Sequence, residues 1–236
     1  MARPRTVAIV QARMNSQRFP GKMMEPLEGS PAIEWVLHRT AKAALVDDVV
    51  LATTADPLDD PLAMTAERLG IRVFRGSEAD VLGRYARAAE MSAAETVVRI
   101  CADRPLVDPN VVDLAVRTFH EHKPDLAFNH ISDPAARWPR GFGAEVLSAS
   151  LLAWMDKNAM APDEREHVTI YAWKHRDRYR ISPAECPPAL DPGIPDLKLD
   201  LDTPEDLHRL KILCAGETID VPAERIVARW REIRPA

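Results

Sequence analysis

The residues with the clearest chemical potential lie close together near the start of the chain. Between Ile9 and Lys22, in IVQARMNSQRFPGK, an apolar run gives way to Arg13, Asn15, Ser16, Arg18 and Lys22. Pro20-Gly21 breaks any helix there, so the stretch is expected to be a loop. Arginine offers a planar fork of donors and lysine a point charge. Backbone N–H groups in such a turn can add an anion nest. Cations, a hydroxyl and an amide on one loop suit a polyphosphate. A solvated basic loop has the same composition, but this one follows the first strand of an α/β pattern, where ligands bind.

Acidic residues supply the second ingredient. Asp103 follows the apolar run TVVRICA. A carboxylate at a strand's C-terminal end can hold Mg²⁺, which takes one or two protein carboxylates plus phosphate oxygens and water. A turn aspartate bonding its own backbone is the plainer alternative. Asp200 and Asp202 precede Thr203-Pro204-Glu205-Asp206, a strong helix start with Thr as cap, Pro in first position and an acid three residues on. Asp202 can serve there simply as the residue before the cap, and Asp206 reads as capping. Cys101 sits in an apolar strand and reads as inert core. His167 falls in an expected helix without a Ser or Cys partner signature, so a hydrolytic triad has no support. A Walker pattern and a GxGxxG are both missing, which disfavours a P-loop kinase and a conventional dinucleotide enzyme.

Regular elements must hold these residues in place. Short β-branched runs at Val7 to Val10, Val49 to Ala52, Ile71 to Phe74, Thr96 to Cys101 and Asp125 to Phe128 read as strands. Helical spacing predicts helices from Ser30-Pro31, over Asp59 to Leu69, over Ala79 to Met91 and after Asp108-Pro109. Such alternation implies right-handed βαβ units and a mostly parallel sheet. Gln11, Arg13, Thr53, Thr54, Arg75 and Asp103 would then line one sheet edge. After Phe128 the rhythm breaks. His130 to Gly143 reads as loop, Ala144 to Leu147 as strand and Ser150 to Asn158 as helix. Asp163 to Lys174 reads as one helix, acidic first and basic last. Ser182 to Asp196 holds five prolines and reads as an extended loop. Leu197 to Leu201 is strand-like, with helices after Thr203 and over Pro222 to Arg231.

The bulk numbers narrow the class. A chain of 236 residues, 46% hydrophobic and 28% charged, fits one large soluble domain. Net charge is −5, from 31 basic and 36 acidic residues, so nucleic acid is not an expected partner. Cys101, Cys186 and Cys214 show no metal spacing, which suggests reduced thiols in a cytoplasmic protein. No apolar run approaches a membrane span or a signal h-region.

Several segments together resemble the sugar cytidylyltransferases, within them the spore-coat polysaccharide biosynthesis protein F group; relatives include CMP-KDO synthetase and acylneuraminate cytidylyltransferase. Gln11 to Lys22 is similar to their ARxxSxRxPxK loop, Asp103-Arg104-Pro105-Leu106 to their G-D-x-P-L, and Leu201 to Leu207 to their D-T-P-E-D-L. Gly76 to Tyr85, Pro139-Arg140-Gly141, Glu145-Val146 and Arg165-Glu166-His167-Val168-Thr169 follow the group's order. The resemblance implies a Rossmann-like, mostly parallel sheet of the nucleotide-diphospho-sugar transferase (GT-A-like) type. It implies one domain over 1–236, with a small antiparallel excursion at 130–182 for sugar binding and dimerisation. It implies CMP transfer from CTP to an acidic sugar in surface or spore-coat polysaccharide synthesis, with pyrophosphate released. Arg13, Ser16, Arg18 and Lys22 would hold the triphosphate, and Ala12 and Thr53 would approach base and ribose. Asp103 and Asp202 would bind Mg²⁺, with Arg13, Lys22 and both acids catalytic. Arg104, Arg140, Glu145 and His167 would meet the sugar. This chain departs from the pattern at Ala102, Arg104 and Gly143. Two other readings stand beside this one: a glycosyltransferase using Asp200-Leu201-Asp202 as a DxD motif, and a non-catalytic nucleotide-binding subunit.

Overall fold

The computed structural model describes residues 3–129, 138–191 and 197–233. Strand β1 (Thr6–Gln11) ends where the basic loop begins. β2 (Pro26–Leu27) and β3 (Ser30–Pro31) form a two-stranded antiparallel hairpin. Then come α1 (Ala32–Ala41), β4 (Asp48–Thr54), α2 (Asp60–Arg68), β5 (Arg72–Gly76), α3 (Val81–Met91), β6 (Thr96–Cys101), α4 (Pro109–His122) and β7 (Leu126–Phe128). β8 (Ala144–Ser148), α5 (Ala149–Asn158), α6 (Pro162–Glu166), α7 (Ile170–Lys174), β9 (Ile181–Pro183), α8 (Pro204–Cys214) and α9 (Ala223–Ile233) complete the order.

The main sheet has seven strands in the order β5-β4-β1-β6-β8-β7-β9. β5, β4, β1 and β6 are mutually parallel, as βαβ crossovers require. β8 runs antiparallel to β6 and β7, and β9 is parallel to β7. The fold is the expected α/β class, and its antiparallel element lies inside the main sheet. Side chains alternate across the sheet. Ala8 and Val10 join the core under α1, α4, α8 and α9, whereas Val7 and Ile9 join the core under α3, α5 and α7. Burial on both faces explains why these strands read as continuous apolar runs. The register pairs Gln11 with Ala52 and Cys101, and Thr54 with Gly76. Four strand ends therefore open on one edge.

Several local expectations are corrected. Ser30 does not cap α1: Ser30 and Pro31 pair back onto β2, and α1 starts at Ala32. The turn Glu28-Gly29 has positive φ at both residues and closes that hairpin. The single helix expected over 163–174 is two short ones. His167 leaves the helical region at φ −106° and ψ 53°. Val168 is fully buried and Thr169 bonds Glu145 there. Residues 197–201 make one bridge, Lys198 to Arg140, rather than a strand. β9 lies at the start of the proline-rich loop. Of the expected loops, residues 130–137 and 192–196 lie outside the described residues.

Candidate active site

The basic loop closes on itself beneath the strand ends. The backbone N–H groups of Ser16 and Gly21 both donate to Met14 O at 2.9 Å. Gly21 sits at φ +76°, a conformation that favours glycine. Asp59, at the start of α2, anchors the loop from behind. Its carboxylate accepts from Met14 N at 2.7 Å, Thr53 Oγ1 at 2.9 Å, Thr54 N at 3.0 Å and Thr54 Oγ1 at 2.6 Å. Burial alone would raise the Asp59 pKa, but these donors outweigh it and hold the group below its ordinary value. Thr53 is fully buried, and its single hydroxyl proton is shared between Asp59 and Ala12 O, the latter at 3.0 Å. It orders Ala12 from behind the cleft wall and does not reach the cleft, where the sequence reading had placed it.

The loop borders a cleft of about 450 Å³ that Ala12, Arg13, Ser16, Arg18 and Lys22 line, with Asp103 and Asp202 across from them. Each cation is held by a carboxylate: Arg13 by Glu78 at 3.2 Å, Arg18 and Lys22 by Asp202 at 2.9 and 3.0 Å. Lys22 also donates to Leu201 O at 2.6 Å and is far less exposed than Arg18, 11% against 65% by side chain. Burial pushes the Asp202 pKa up, yet Lys22, Arg18 and Lys198 together hold it below the usual carboxylate range. Leu201 N donates to Asp103 O at 2.7 Å, which brings the two acidic segments side by side. Asp103 Oδ1 is buried with no hydrogen-bond partner among the described residues. Among those residues no group of three or more His, Cys, Asp or Glu forms a metal cage. Two carboxylates, one with an open oxygen, fit a hard divalent cation that takes its remaining ligands from phosphate and water.

A second cleft of about 440 Å³ adjoins the first, lined by Arg104, Arg140, Glu145, Thr169, Trp173 and Asp200 among others. Arg140 reaches Asp200 at 3.1 Å, and Arg104 pairs with the same carboxylate at 3.7 Å. Arg104 Nη1 also donates to Gly143 O at 2.7 Å. Burial lowers the Arg104 pKa, but the negative groups around it, including Asp103 and Asp200, carry it above its ordinary value. Gly141 has φ +106°, and a Cβ there would lie 2.5 Å from Leu199 Cβ, so only glycine lets these strands of chain meet. Glu145 is 3% exposed and accepts from Arg99, from Thr169 Oγ1 at 2.9 Å and from Trp173 Nε1 at 3.2 Å. Asp200 faces this second cleft and Asp202 the first. The DxD triplet is therefore split between two sites and does not form one metal motif.

His167 and Arg99 line both clefts. Arg99 was not singled out from the sequence, although a lone charge in TVVRIC was the signal for it. Asp59 and Arg84 were missed as well. Arg84 lines the first cleft while 3% exposed, bonding the Ser77 and Glu78 carbonyls at 2.5 and 3.0 Å. Cys101, read as core, lines the first cleft too; burial raises its thiol pKa, so it stays protonated.

The chain matches the family model described as cytidylyltransferase over residues 7–219. It belongs to the cytidylyltransferase family. It is 33% identical over 226 residues to the spore coat polysaccharide biosynthesis protein SpsF of Bacillus subtilis (strain 168), covering 93% of this chain and 91% of that protein. It resembles the structure of a cytidylyltransferase from Leptospira borgpetersenii serovar Hardjo-bovis with a TM-score of 0.89 at 27% identity, over 98% of this chain and 95% of that one. A CMP:2-keto-3-deoxy-manno-octonic acid synthetase complexed with CTP shares the fold at a TM-score of 0.65 and 17% identity, over 91% of this chain and all (100%) of that one. Within this cytidylyltransferase, two of the unusual positions touch: Arg104 bonds the carbonyl of Gly143. Arg104 lines the second cleft, and Asp103 Oδ1 has no hydrogen-bond partner among the described residues.

Proposed function

We propose that this enzyme transfers the CMP unit of CTP to a sugar bearing an anionic group, with release of pyrophosphate, in surface or spore-coat polysaccharide synthesis. The observation that carries the reading is the pair of adjoining clefts. One is lined by Arg13, Ser16, Arg18 and Lys22, opposite Asp103 and Asp202. The other, among the described residues, is lined by Arg99, Arg104 and Arg140 with two carboxylates, Glu145 and Asp200. The first suits a triphosphate and the second a monoanionic acceptor held by arginine forks. Ala12, ordered by Thr53, lies at the nucleotide end. Arg140 and Glu145 lie on the acceptor side, and His167 lines both clefts.

Displacement at phosphorus depends on positioning and charge neutralisation more than on covalent chemistry. Arg13, Arg18 and Lys22 would exchange their carboxylate partners for phosphate oxygens. Their charge then stabilises the departing pyrophosphate. Asp103 and Asp202 would hold Mg²⁺, which when bound neutralises phosphate charge. The family resemblance also implies a homodimer built on the 130–182 segment and a cytoplasmic setting, for which sedimentation and fractionation are the tests. No helix among the described residues is long and apolar enough to cross a membrane.

The test is a pyrophosphate-release screen of CTP, UTP, ATP and GTP with Mg²⁺ against sugar acids and neutral sugars. Turnover is expected with CTP and a sugar acid. Release with neutral sugars alone refutes the acidic acceptor, and release with another nucleotide alone refutes the cytidylyl reading.

A further inference from the structure

Arg99 occupies an unusual place. It stands in β6 between Val98 and Ile100, two fully buried residues, and its side chain is 14% exposed. Strand alternation puts it on the face of Val97, opposite Val98 and Ile100. Glu145, its partner across the antiparallel register, binds one guanidinium nitrogen. A second nitrogen lies 3.5 Å from Gln11 Oε1, at the end of β1. Nε is buried with no hydrogen-bond partner among the described residues. Thr169 and Trp173 fix Glu145 in turn. The result is a cation locked in orientation at the wall shared by both clefts.

That position defines what it can meet. Group transfer requires the acceptor oxygen and the attacked phosphorus to be adjacent. They can be adjacent only where the two clefts join. If pyrophosphate leaves, the attacked atom is the α-phosphorus, so the β- and γ-phosphates extend away toward Arg18 and Lys22. His167 shares the junction but is exposed and belongs to the break between α6 and α7. Arg99 is the buried, anchored charge there.

Resting on the cytidylyltransfer reading above, we infer that Arg99 is a catalytic residue that binds the α-phosphate of CTP, and that Glu145 is its positioning residue. In the step it serves, the acceptor hydroxyl oxygen forms a bond to the α-phosphorus. The bond from that phosphorus to the bridging oxygen breaks, and its electron pair leaves on pyrophosphate. The hydroxyl proton passes to water. Charge redistributes over the α-phosphate oxygens during this exchange, and a fixed guanidinium beside them stabilises it without reorganising. Gln11 and Glu145 hold the fork at the wall shared by both clefts.

The experiment needs no acceptor. Phosphorus NMR of metal-free CTP bound to the protein resolves the α, β and γ resonances separately. In the wild type all three are expected to move on binding. In Arg99→Lys, and in the double variant Arg99→Met/Glu145→Gln, the β and γ resonances are expected to keep their bound positions while the α resonance returns most of the way to its free value. The double variant removes both charges at once, so neither is left buried and unpaired, and Arg99→Lys retains a partner for Glu145. An α resonance unchanged in the folded variants overturns the assignment. Equal loss at all three phosphates also overturns it, because that pattern reports a structural role. Failure of CTP to bind the wild type both without and with Mg²⁺ refutes the cytidylyltransfer reading itself, a result distinct from both.

Discussion

The two clefts are built in opposite ways. The first cleft takes Arg13, Arg18 and Lys22 from ten consecutive residues on one loop, and Arg84 and Arg99 from α3 and β6. Two of the loop's ion pairs reach solvent: Arg18 is 65% exposed by side chain, and Arg13 and Glu78 are both well exposed, whereas Lys22 and Asp202 are largely buried. The second cleft draws on β6, β8, the break after α6, α7 and the residues before α8. Its central carboxylate, Glu145, accepts from Arg99 of β6, from Thr169 in the break before α7 and from Trp173 of α7. Under the proposed function the first site exchanges carboxylates for phosphates, and its solvent-exposed pairs, those of Arg13 and Arg18, are worth little to stability. The second, which would select the sugar, is preorganised, and its charges depend on one another.

The largest expected effect is on the preorganised side. Glu145→Ala should destabilise the protein by about 3–5 kcal/mol, because it strands the buried charge of Arg99. Urea denaturation measures it, and a loss below about 1 kcal/mol would erase the contrast between the clefts.

Asp59 comes next and sharpens the comparison, since it is the rigid footing of the exchangeable loop. Asp59→Asn should cost about 1–3 kcal/mol at neutral pH through its lost charge-assisted hydrogen bonds. The Asp59 pKa is depressed below its ordinary 3.8 in the folded state. Its contribution is therefore complete above the unfolded value and is lost as pH falls through the lower folded value. The gap between wild type and variant should narrow at pH 3 relative to pH 7. A gap that widens in acid would show the sign to be wrong.

Arg18→Ala should give the smallest change in stability, under about 0.5 kcal/mol, because its pair with Asp202 is largely exposed. Calorimetry should nonetheless show CTP binding weakened about tenfold, the size expected for one charge-assisted contact. Lys22 does not belong with Arg18 in this respect. The structure buries it, so its removal is expected to affect stability as well as binding. A variant of Arg18 as unstable as Glu145→Ala would mean that the loop is structural.

What could be read from the chain was whatever neighbouring residues encode. Apolar runs marked the strands, and the segments TVVRIC and Thr203-Pro204-Glu205-Asp206 marked β6 and the start of α8 with no loss of register. The basic loop was legible because its three cations lie within ten residues and follow a strand. Asp103 and Asp202 were visible as candidates, each at an element boundary. Tertiary structure decided the rest. Only the sheet register sets Glu145 opposite Arg99, and the helix expected over 163–174 is broken where Val168 is buried and Thr169 bonds Glu145. Asp59 looked like a helix-start aspartate until the fold placed Met14 against it. Asp200 and Asp202 looked like one motif, yet the backbone turns their side chains into different clefts. Local propensity and hydrophobic period act over a few residues and survive in the linear chain. The pairing of distant charges depends on which strands lie side by side, and that is a property of the whole sheet.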